Sequence, residues 1–487
     1  MTVSLVLWGV VLYVLLSSVV TYLSRQRGPQ GGQSMSRYFL GNRSMGGVVS
    51  ALSYSATTYS AFMMVGLAGL TYKGGVGALG FEIIYFAGVS LVSIFGPRFW
   101  KAARRHAFVT PSEMLGKRYG SRWVAVAAGL TALGFLIPYS AVQLAGVGYL
   151  LSGMTQGAIP FGAGVVLATL LAIAFSFVAG IRSVMWTDSL QALVMIVASV
   201  LVGGLVVARL GGPVVLFETI ASRAPQMLQV PGPGLFSFPT FLGLTIPWFF
   251  FAISNPQVSQ RLFMPKSLAA LRQMLLIFLC FGLVYTLVSV LWGFSAFVAF
   301  PDLATPDLAT ATLLASDYVP PVLGVVVMVG ILAAAVSTID SILLTLSSIF
   351  ARDVYGNLRP DAPERRQLWV GKAVIPVISV LALVFATLQL SMISILSVAA
   401  SAGLVVVVPA TIGAFFWRRG TATGALLSIL GGVAFVLWMY LSGNRLFGLN
   451  AGVLGFPVAS LLFVAGSLLT RPKATATTEG FLPMSSD

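Results

Sequence analysis

Long apolar segments recur along this chain and constrain its fold more than any other feature. A helix of roughly 20 apolar residues crosses the hydrocarbon core of a bilayer, which is about 30 Å thick. Of the 487 residues, 58% are hydrophobic and 8% are charged, whereas a soluble domain carries about 25% charged residues. The sequence therefore predicts an all-α membrane protein with thirteen transmembrane helices, surrounded by a lipid bilayer. The predicted spans cover 4–23, 46–72, 78–98, 123–152, 158–180, 184–208, 239–264, 269–300, 320–351, 370–389, 391–416, 422–442 and 449–470.

The basic residues give the chain a formal net charge of +15, and their distribution predicts its orientation. If the N-terminus lies outside, 24 of the 28 Lys and Arg residues fall at the cytoplasmic ends of the predicted spans. The remaining four are Lys73, Arg209, Arg223 and Arg445. Because cytoplasmic loops are enriched in basic residues, we expect an outside N-terminus and a cytoplasmic C-terminus in a cell inner (cytoplasmic) membrane. The charge is then a topology signal, and no nucleic-acid partner is expected.

Two predicted spans contain residues that interrupt helices. The second has five hydroxyl side chains between Ser53 and Ser60, and the seventh has Pro247 and Pro256. Hydroxyls compete with the helix ladder, and proline removes a backbone donor. Spans two to six and spans seven to eleven are units of five, an odd number that gives them opposite orientations. This pattern is typical of a five-plus-five inverted-repeat transporter core with broken helices; the alternative is that these residues only kink packed helices.

The predicted organisation divides the chain into six parts, and no hydrophilic piece is long enough to bury a core of its own. The tail is rich in Thr, Ser and Ala, a composition that favours disorder. The parts are the first transmembrane helix with a cytoplasmic loop (1–45), the first repeat (46–208), an external loop (209–238), the second repeat (239–416), two peripheral helices (417–470) and a disordered cytoplasmic tail (471–487).

Three acidic residues, Glu82, Asp188 and Asp340, lie inside predicted spans. A carboxylate in hydrocarbon costs a few kcal/mol, so it normally faces a partner, a cavity or an ion path. We find no Lys or Arg deep in a predicted span to pair with them, so cations or protons are the expected partners. Asp340 shares a helical face with Ser337 and Ser341, and such oxygen ligands favour hard cations. Back-bonding of the hydroxyls to their own helix is the competing interpretation, and for Glu82 a structural role competes equally with a role at the substrate.

Several segments together make the chain similar to the sodium/solute symporter family, which includes sodium/proline, sodium/galactose, sialic-acid and pantothenate transporters. The resemblance covers nearly the whole chain. It implies thirteen spans, an outside N-terminus and the inverted-repeat core, in agreement with the charge distribution. The segments are 38–43, 52–66, 186–188 with Gln191, 333–341 and 352–355.

The resemblance also implies two cation sites. The principal sodium site maps to the carbonyl oxygens of Ala56, Tyr59 and Ala334 and the hydroxyls of Ser337 and Thr338. A second cation site, which only some members have, maps to Asp188, Ser337, Asp340 and Ser341. Where the family has paired glycines before the Thr-Asp motif, this chain has Ala179 and Gly180, a change that we expect to leave the site intact.

The substrate pocket is expected near the middle of the membrane. Half-helix amides and hydroxyls suit a carboxylate, and aromatic walls suit an apolar tail. Sugar-binding members of the family line their pocket with amide and charged side chains. In this chain the region around the break in the seventh span has Trp248 and three phenylalanines, which argues against a sugar. For Tyr139 and Trp248, helix packing is the competing interpretation. The expected pocket residues are Ser55, Thr57, Thr58, Ser60, Tyr139, Gln143, Trp248, Phe251 and Asn255.

The sequence therefore predicts sodium-coupled symport, by alternating access, of a small monocarboxylate, amino acid or pantothenate-like acid. One alternative is the same fold driven by protons through Asp188 or Asp340. A membrane-embedded enzyme is disfavoured because the chain has one His and shows no paired catalytic groups at a membrane face. A channel or a transporter-like sensor is disfavoured only weakly.

Overall fold

The computed structural model describes residues 2–26, 34–232, 236–389, 392–473 and 477–482. These residues form helices joined by turns and short loops, with two isolated β-bridges. Within them, ten helices are long and apolar enough to cross a membrane. The chain is therefore an all-helical, multi-pass membrane protein.

The α-helices are numbered here in chain order. They are α1 (Val3–Gln26), α2 (Met35–Leu40), α3 (Gly47–Ala61), α4 (Ala68–Gly74), α5 (Gly77–His106), α6 (Pro111–Tyr119), α7 (Arg122–Met154), α8 (Phe161–Arg209), α9 (Gly212–Arg223), α10 (Phe238–Phe249), α11 (Phe251–Ser254), α12 (Pro256–Ser259), α13 (Leu268–Ala299), α14 (Ala309–Ala315), α15 (Pro321–Ile349), α16 (Gly356–Leu358), α17 (Glu364–Thr387), α18 (Ile393–Leu404), α19 (Val408–Phe416), α20 (Ala422–Leu426), α21 (Gly432–Ser442) and α22 (Ala451–Leu469).

The other three expected spans are short or interrupted. The second consists of α3, a π-helical turn at Phe62–Leu67 and α4. The fifth is the first part of α8, which begins at Phe161 and is interrupted at Gly180. The seventh consists of α10, α11, α12 and a 3₁₀ turn at Gln260–Phe263. The interruptions in the second and seventh spans lie where the sequence has its hydroxyl cluster and its prolines.

Gly180 separates the fifth expected span from the sixth within α8. Its φ of 65° lies in a region that glycine adopts without steric cost. A Cβ atom there would lie 3.1 Å from the ring of Tyr38, whose hydroxyl donates to the Ser176 carbonyl at 2.8 Å. Glycine at this position thus allows both the sharp bend and the contact with α2.

The centre of the bundle is α15, which packs against α3, α7 and α8. Every residue from 330 to 349 is buried. Helix α1 lies outside α8 and α15 and exposes large apolar side chains such as Trp8 and Leu12, as expected for a surface that faces lipid. The three acidic span residues face inward, because Glu82, Asp188 and Asp340 are all buried.

Residues 477–482 of the predicted disordered tail contact the rest of the protein. Glu479 forms an ion pair with Arg105, and Phe481 is buried between Phe108 and Phe415. A single aromatic residue in a polar segment supplies little sequence signal. Its docking depends on a surface that two distant parts of the chain, around Phe108 and Phe415, form together.

Candidate functional site

The interruption of the second span lies at Ser60, beside the middle of α15. Ser60 has φ 38° and ψ −165°, a conformation that non-glycine residues adopt at a cost. The last helical turn before this break includes Ala56. Its carbonyl oxygen accepts a hydrogen bond from Thr338 Oγ1 at 3.1 Å, and the carbonyl of Ala334 lies 2.9 Å from the same hydroxyl. Three of the five oxygens expected at the principal sodium site are therefore close together.

The other two oxygens of that expected site have different partners in this structure. The carbonyl of Tyr59 accepts from the backbone N–H of Phe62. The hydroxyl of Ser337 donates to Asp188 Oδ1. Both oxygens therefore take part in hydrogen bonds within the protein in this structure. The oxygen donors that are present fit a hard monovalent cation.

Asp188 has a basic partner, which corrects the expectation that no Lys or Arg lies deep in a span. Arg261 Nη2 lies 3.2 Å from Asp188 Oδ2. Both side chains are buried, with 2% and 0% of their surface exposed. Arg261 also donates to the hydroxyls of Ser53 and Ser341. The residue follows the short helix α12, so it lies inside the protein although the sequence places it near the end of the span.

The four residues of the expected second cation site do not converge on one point. Asp188, Ser337 and Ser341 lie around the Arg261 guanidinium. Asp340 Oδ1 instead accepts a hydrogen bond from Ser176 Oγ at 2.9 Å. Asp340 and Ser337 both contact α8, but on opposite sides of its bend at Gly180: Asp340 contacts Ser176 before the bend, and Ser337 contacts Asp188 after it.

Aromatic side chains form a connected group around the break in the seventh span. The ring centroids of Trp248 and Phe251 are 4.6 Å apart, and the ring of Tyr139 lies 6.0 Å from that of Phe251. Trp248 Nε1 donates to Glu82 Oε2 at 3.2 Å. The carboxylate of Glu82 therefore orients the indole, and the structure places Glu82 beside the expected pocket.

All nine expected pocket residues are buried. Four have side-chain hydrogen bonds in the protein: Thr57 lies 3.2 Å from the Ser341 hydroxyl, Ser60 accepts from the Phe62 N–H, Trp248 donates to Glu82, and Asn255 Oδ1 accepts from Ser254. Several of the nine have buried polar atoms without a protein partner. Such atoms are uncommon in a folded protein and mark places where a ligand or water completes the hydrogen bonding. They belong to Ser55, Thr58, Tyr139, Gln143 and Asn255.

Sequence reasoning missed Arg261 and two serines of α18. Ser394 and Ser397 are buried, and neither hydroxyl has a protein partner. Ser397 lies beside the Tyr139 hydroxyl. A signal was available, because Ser394, Ser397 and Ser401 follow the three- and four-residue spacing of one helical face.

The site thus combines a broken helix, a hydroxyl-bearing helix beside it and a buried polar pocket. Comparison with known proteins identifies the family to which the chain belongs. The model of the sodium:solute symporter family matches residues 38–432. The chain belongs to the sodium:solute symporter family. The sodium/pantothenate symporter of Escherichia coli (strain K12) is 30% identical over 476 residues, which cover 96% of this chain and 97% of the relative. The sodium/proline symporter of Haemophilus influenzae is 27% identical, with 90% of each chain covered.

A solved structure has a similar fold. A Na⁺-coupled sialic acid symporter in a substrate-bound, outward-open state matches with a TM-score of 0.81 and 21% identity, covering 96% of this chain and 98% of the other. Membership of the sodium:solute symporter family indicates that the chain described here uses sodium as its coupling ion and carries a small solute with it. Its family and its structural neighbours are transporters rather than enzymes.

Proposed function

We propose that this symporter takes up a small monocarboxylate of the pantothenate type and that an inward sodium gradient drives the uptake. The observation that carries the proposal is the position of the Thr338 hydroxyl. It lies within 3.1 Å of the carbonyl oxygens of Ala56 and Ala334, directly beside the helix break and the buried pocket. An ion held there joins α3 to α15 next to the solute.

The principal sodium site consists of Ala56, Tyr59, Ala334, Ser337 and Thr338. Sodium binding draws the Ser337 hydroxyl and the Tyr59 carbonyl toward the three oxygens that are already close together. This orders the turn after Ser60. Since Ser55 and Thr58 lie in the helical segment just before Ser60, the ordering raises the affinity for the solute, and by linkage the solute raises the affinity for sodium.

The chemistry of the pocket favours an acid with an apolar body. None of the nine pocket residues carries a charge, so a carboxylate is held by neutral donors, by half-helix amides and by the nearby sodium ion. Gln143 Nε2 and Asn255 Nδ2 are buried donors without protein partners, which suits a carboxylate or an amide oxygen. The rings of Trp248 and Phe251 cover an alkyl segment. The name of the Escherichia coli relative, a sodium/pantothenate symporter, agrees with this chemistry.

Alternating access follows from the two interrupted spans. Spans two and seven, each the first of a unit of five, are broken at Ser60 and near Asn255. A matching pair of breaks supports an inverted repeat whose two halves rock around a central site. With the N-terminus outside and the C-terminus in the cytoplasm, sodium enters from the outer side of the membrane and leaves into the cytoplasm, where its concentration is low.

Coupling to protons through Asp188 is disfavoured by a specific contact. Both oxygens of the Asp188 carboxylate already have partners, because it pairs with Arg261 and accepts from two serine hydroxyls. Asp340, which lies next to Ser176, is the remaining acidic candidate for that alternative.

Uptake into proteoliposomes tests the proposal. Vesicles loaded with potassium are diluted into sodium or choline medium with radiolabelled pantothenate, proline, sialic acid or galactose. Pantothenate should accumulate in sodium medium only, and Trp248→Ala should reduce its uptake. Equal uptake in choline medium with a pH gradient contradicts sodium coupling, whereas preferential uptake of proline or galactose contradicts the proposed substrate.

A further inference from the structure

A cavity of about 650 Å³ lies at the end of the bundle that the charge distribution predicts to be cytoplasmic. Its walls are the junction of α6 with α7 on one side, and α16 and the start of α17 on the other. We propose that this cavity binds the headgroup of an anionic phospholipid, with the phosphate at Lys117 and Arg122 and a headgroup hydroxyl at Gln367. The site is separate from the solute pocket and from the sodium site.

The walls of the cavity carry an excess of positive charge. Glu113 is the acidic residue among the described residues that line it, and its Oε1 lies 2.8 Å from Nη2 of Arg352, which also lines the cavity. Lys117 and Arg122 are exposed there. Within the described part of the chain, neither of these two residues forms an ion pair. Two cations are therefore left to attract an anion.

Helix α7 adds the positive end of its dipole at the same place. This helix of 33 residues begins at Arg122, and Ser121 at its N-cap makes no side-chain capping hydrogen bond. Both residues line the cavity. Backbone N–H groups of a first helical turn have no partner within the helix, and together with the dipole they favour a bound phosphate.

Gln367 shows that the ligand must also supply a hydrogen-bond donor. Its side chain is 6% exposed, and its Nε2 donates to the Ala362 carbonyl at 3.0 Å. Its Oε1 is buried without a protein partner and lies at the cavity wall beside Gly356. A phosphate oxygen cannot donate to this acceptor, whereas a hydroxyl of a glycerol headgroup can. A lipid of the phosphatidylglycerol type provides both groups.

Exposed tryptophans place the cavity at the depth of the lipid headgroups. Trp123 and Trp369 are close in sequence to lining residues, and they are 50% and 60% exposed. Tryptophan is enriched where a bilayer meets water. Beyond them, α7 and α17 pack against each other and expose apolar side chains such as Leu130 and Val377, which suit acyl chains. Basic cavities between membrane helices on the cytoplasmic side bind lipid headgroups, so a lipid is favoured over a free phosphate.

Titration of the purified full-length protein with lipids in detergent tests the proposal. The unfolding temperature, followed as the mole fraction of lipid rises, gives a half-saturating fraction for each lipid. Phosphatidylglycerol should saturate at a lower fraction than phosphatidylmethanol, which has the charge but no headgroup hydroxyl. Phosphatidylcholine, which has no net charge, should require the highest fraction. Soluble glycerol 1-phosphate should not stabilise the protein at a matched concentration.

The variant Lys117→Gln with Arg122→Gln should raise the half-saturating fraction of phosphatidylglycerol by about thirtyfold, because each basic residue beside an anionic lipid contributes a factor of about five. The matched control is Lys101→Gln with Lys266→Gln. It removes the same charge at exposed positions that do not line the cavity, and it should bind phosphatidylglycerol like the wild-type protein.

Equal half-saturating fractions of phosphatidylglycerol and phosphatidylcholine overturn the proposal, and so does an equal loss of binding in the two double variants. Equal fractions of phosphatidylglycerol and phosphatidylmethanol overturn the placement of a hydroxyl at Gln367. Stabilisation by glycerol 1-phosphate as strong as that by the lipid overturns the membrane as the source of the ligand. If the Lys117 and Arg122 variant does not fold, the lipid series on the wild-type protein decides alone. Lipid binding needs neither sodium nor solute, so a failure of pantothenate uptake leaves this result intact.

Discussion

Thr338 Oγ1 donates a hydrogen bond to the Ala56 carbonyl at 3.1 Å, although 282 residues separate the two in the chain. The contact joins the unbroken helix α15 to the turn of α3 that precedes the break at Ser60. We therefore expect a ligand that binds between these two helices to act on the turn before the break.

Thr338→Ala should raise the sodium concentration for half-maximal uptake by on the order of tenfold, because an oxygen that contacts an ion contributes about 1.5–3 kcal/mol. The maximal rate at saturating sodium should change much less. Thr169→Ala is a suitable control, since Thr169 is also buried and its hydroxyl bonds to its own helix at the Val165 carbonyl. Initial rates measured across a sodium series check the prediction, and equal sodium dependence in the two variants would contradict it.

Glu82→Leu should weaken solute binding. The substitution leaves the Trp248 N–H buried without its acceptor, at a cost of about 1–3 kcal/mol, so the indole no longer has a defined orientation. Glu82→Gln retains an acceptor oxygen and should have a smaller effect. The concentration of solute for half-maximal uptake at saturating sodium is the measurement. If both variants bind solute like the wild-type protein, Glu82 does not orient Trp248.

Asp307 should make stability depend on pH. This residue lies in a short helix of the loop after α13, where burial raises the pKa of its carboxyl to about 6, against the opposing effects of the Ile393 N–H and Lys73. Because the folded protein holds the proton more tightly than the unfolded chain, the contribution to stability falls as the pH rises from about 4 to about 6 and is constant above that. The change amounts to at most roughly 3 kcal/mol.

Asp307→Asn keeps an acceptor for the Ile393 N–H, which the wild-type carboxylate binds at 3.1 Å, and should remove this pH dependence. Apparent unfolding temperatures of both proteins between pH 4 and 8 give the comparison. Asp361→Asn, at an exposed position, is the control. A constant difference between wild type and Asp307→Asn across this range contradicts the assignment.

Cysteine labelling tests the predicted orientation. In a Cys280→Ser background, Arg445→Cys should react with a membrane-impermeant maleimide in intact cells, because position 445 is exposed and predicted to lie outside. Arg359→Cys is equally exposed but predicted to be cytoplasmic, so it should react only after permeabilisation. The reverse pattern contradicts the charge-based topology.

Much of the fold could be predicted because hydropathy and helix breakers act locally. The apolar length of α13 or α22 is readable from consecutive residues, and backbone groups in lipid must bond within one helix. Pro256 and the hydroxyls before Ser60 likewise marked the two interrupted spans in advance. The fifth span, predicted at 158–180, begins at Phe161 and ends at the bend at Gly180.

The candidate site was harder to predict, because it depends on the direction of side chains from different helices. Asp340 and Ser337 are three residues apart on one helix, yet they contact Ser176 and Asp188 respectively. Ser397 is distant from Tyr139 in the chain and adjacent to it in space. Such pairings follow from helix rotation and packing, which a sequence pattern specifies only approximately.

The sequence by itself determined that this protein is a bundle of membrane helices in which two spans are interrupted, because apolar length and proline position are properties of single segments. Only the tertiary structure decided which cation faces Asp188. Arg261 lies 73 residues further along the chain, near the end of an interrupted span, and it is the fold around α12 and the hydrogen bonds of Gln260 to Val109 and Thr345 that bring its charge into the protein.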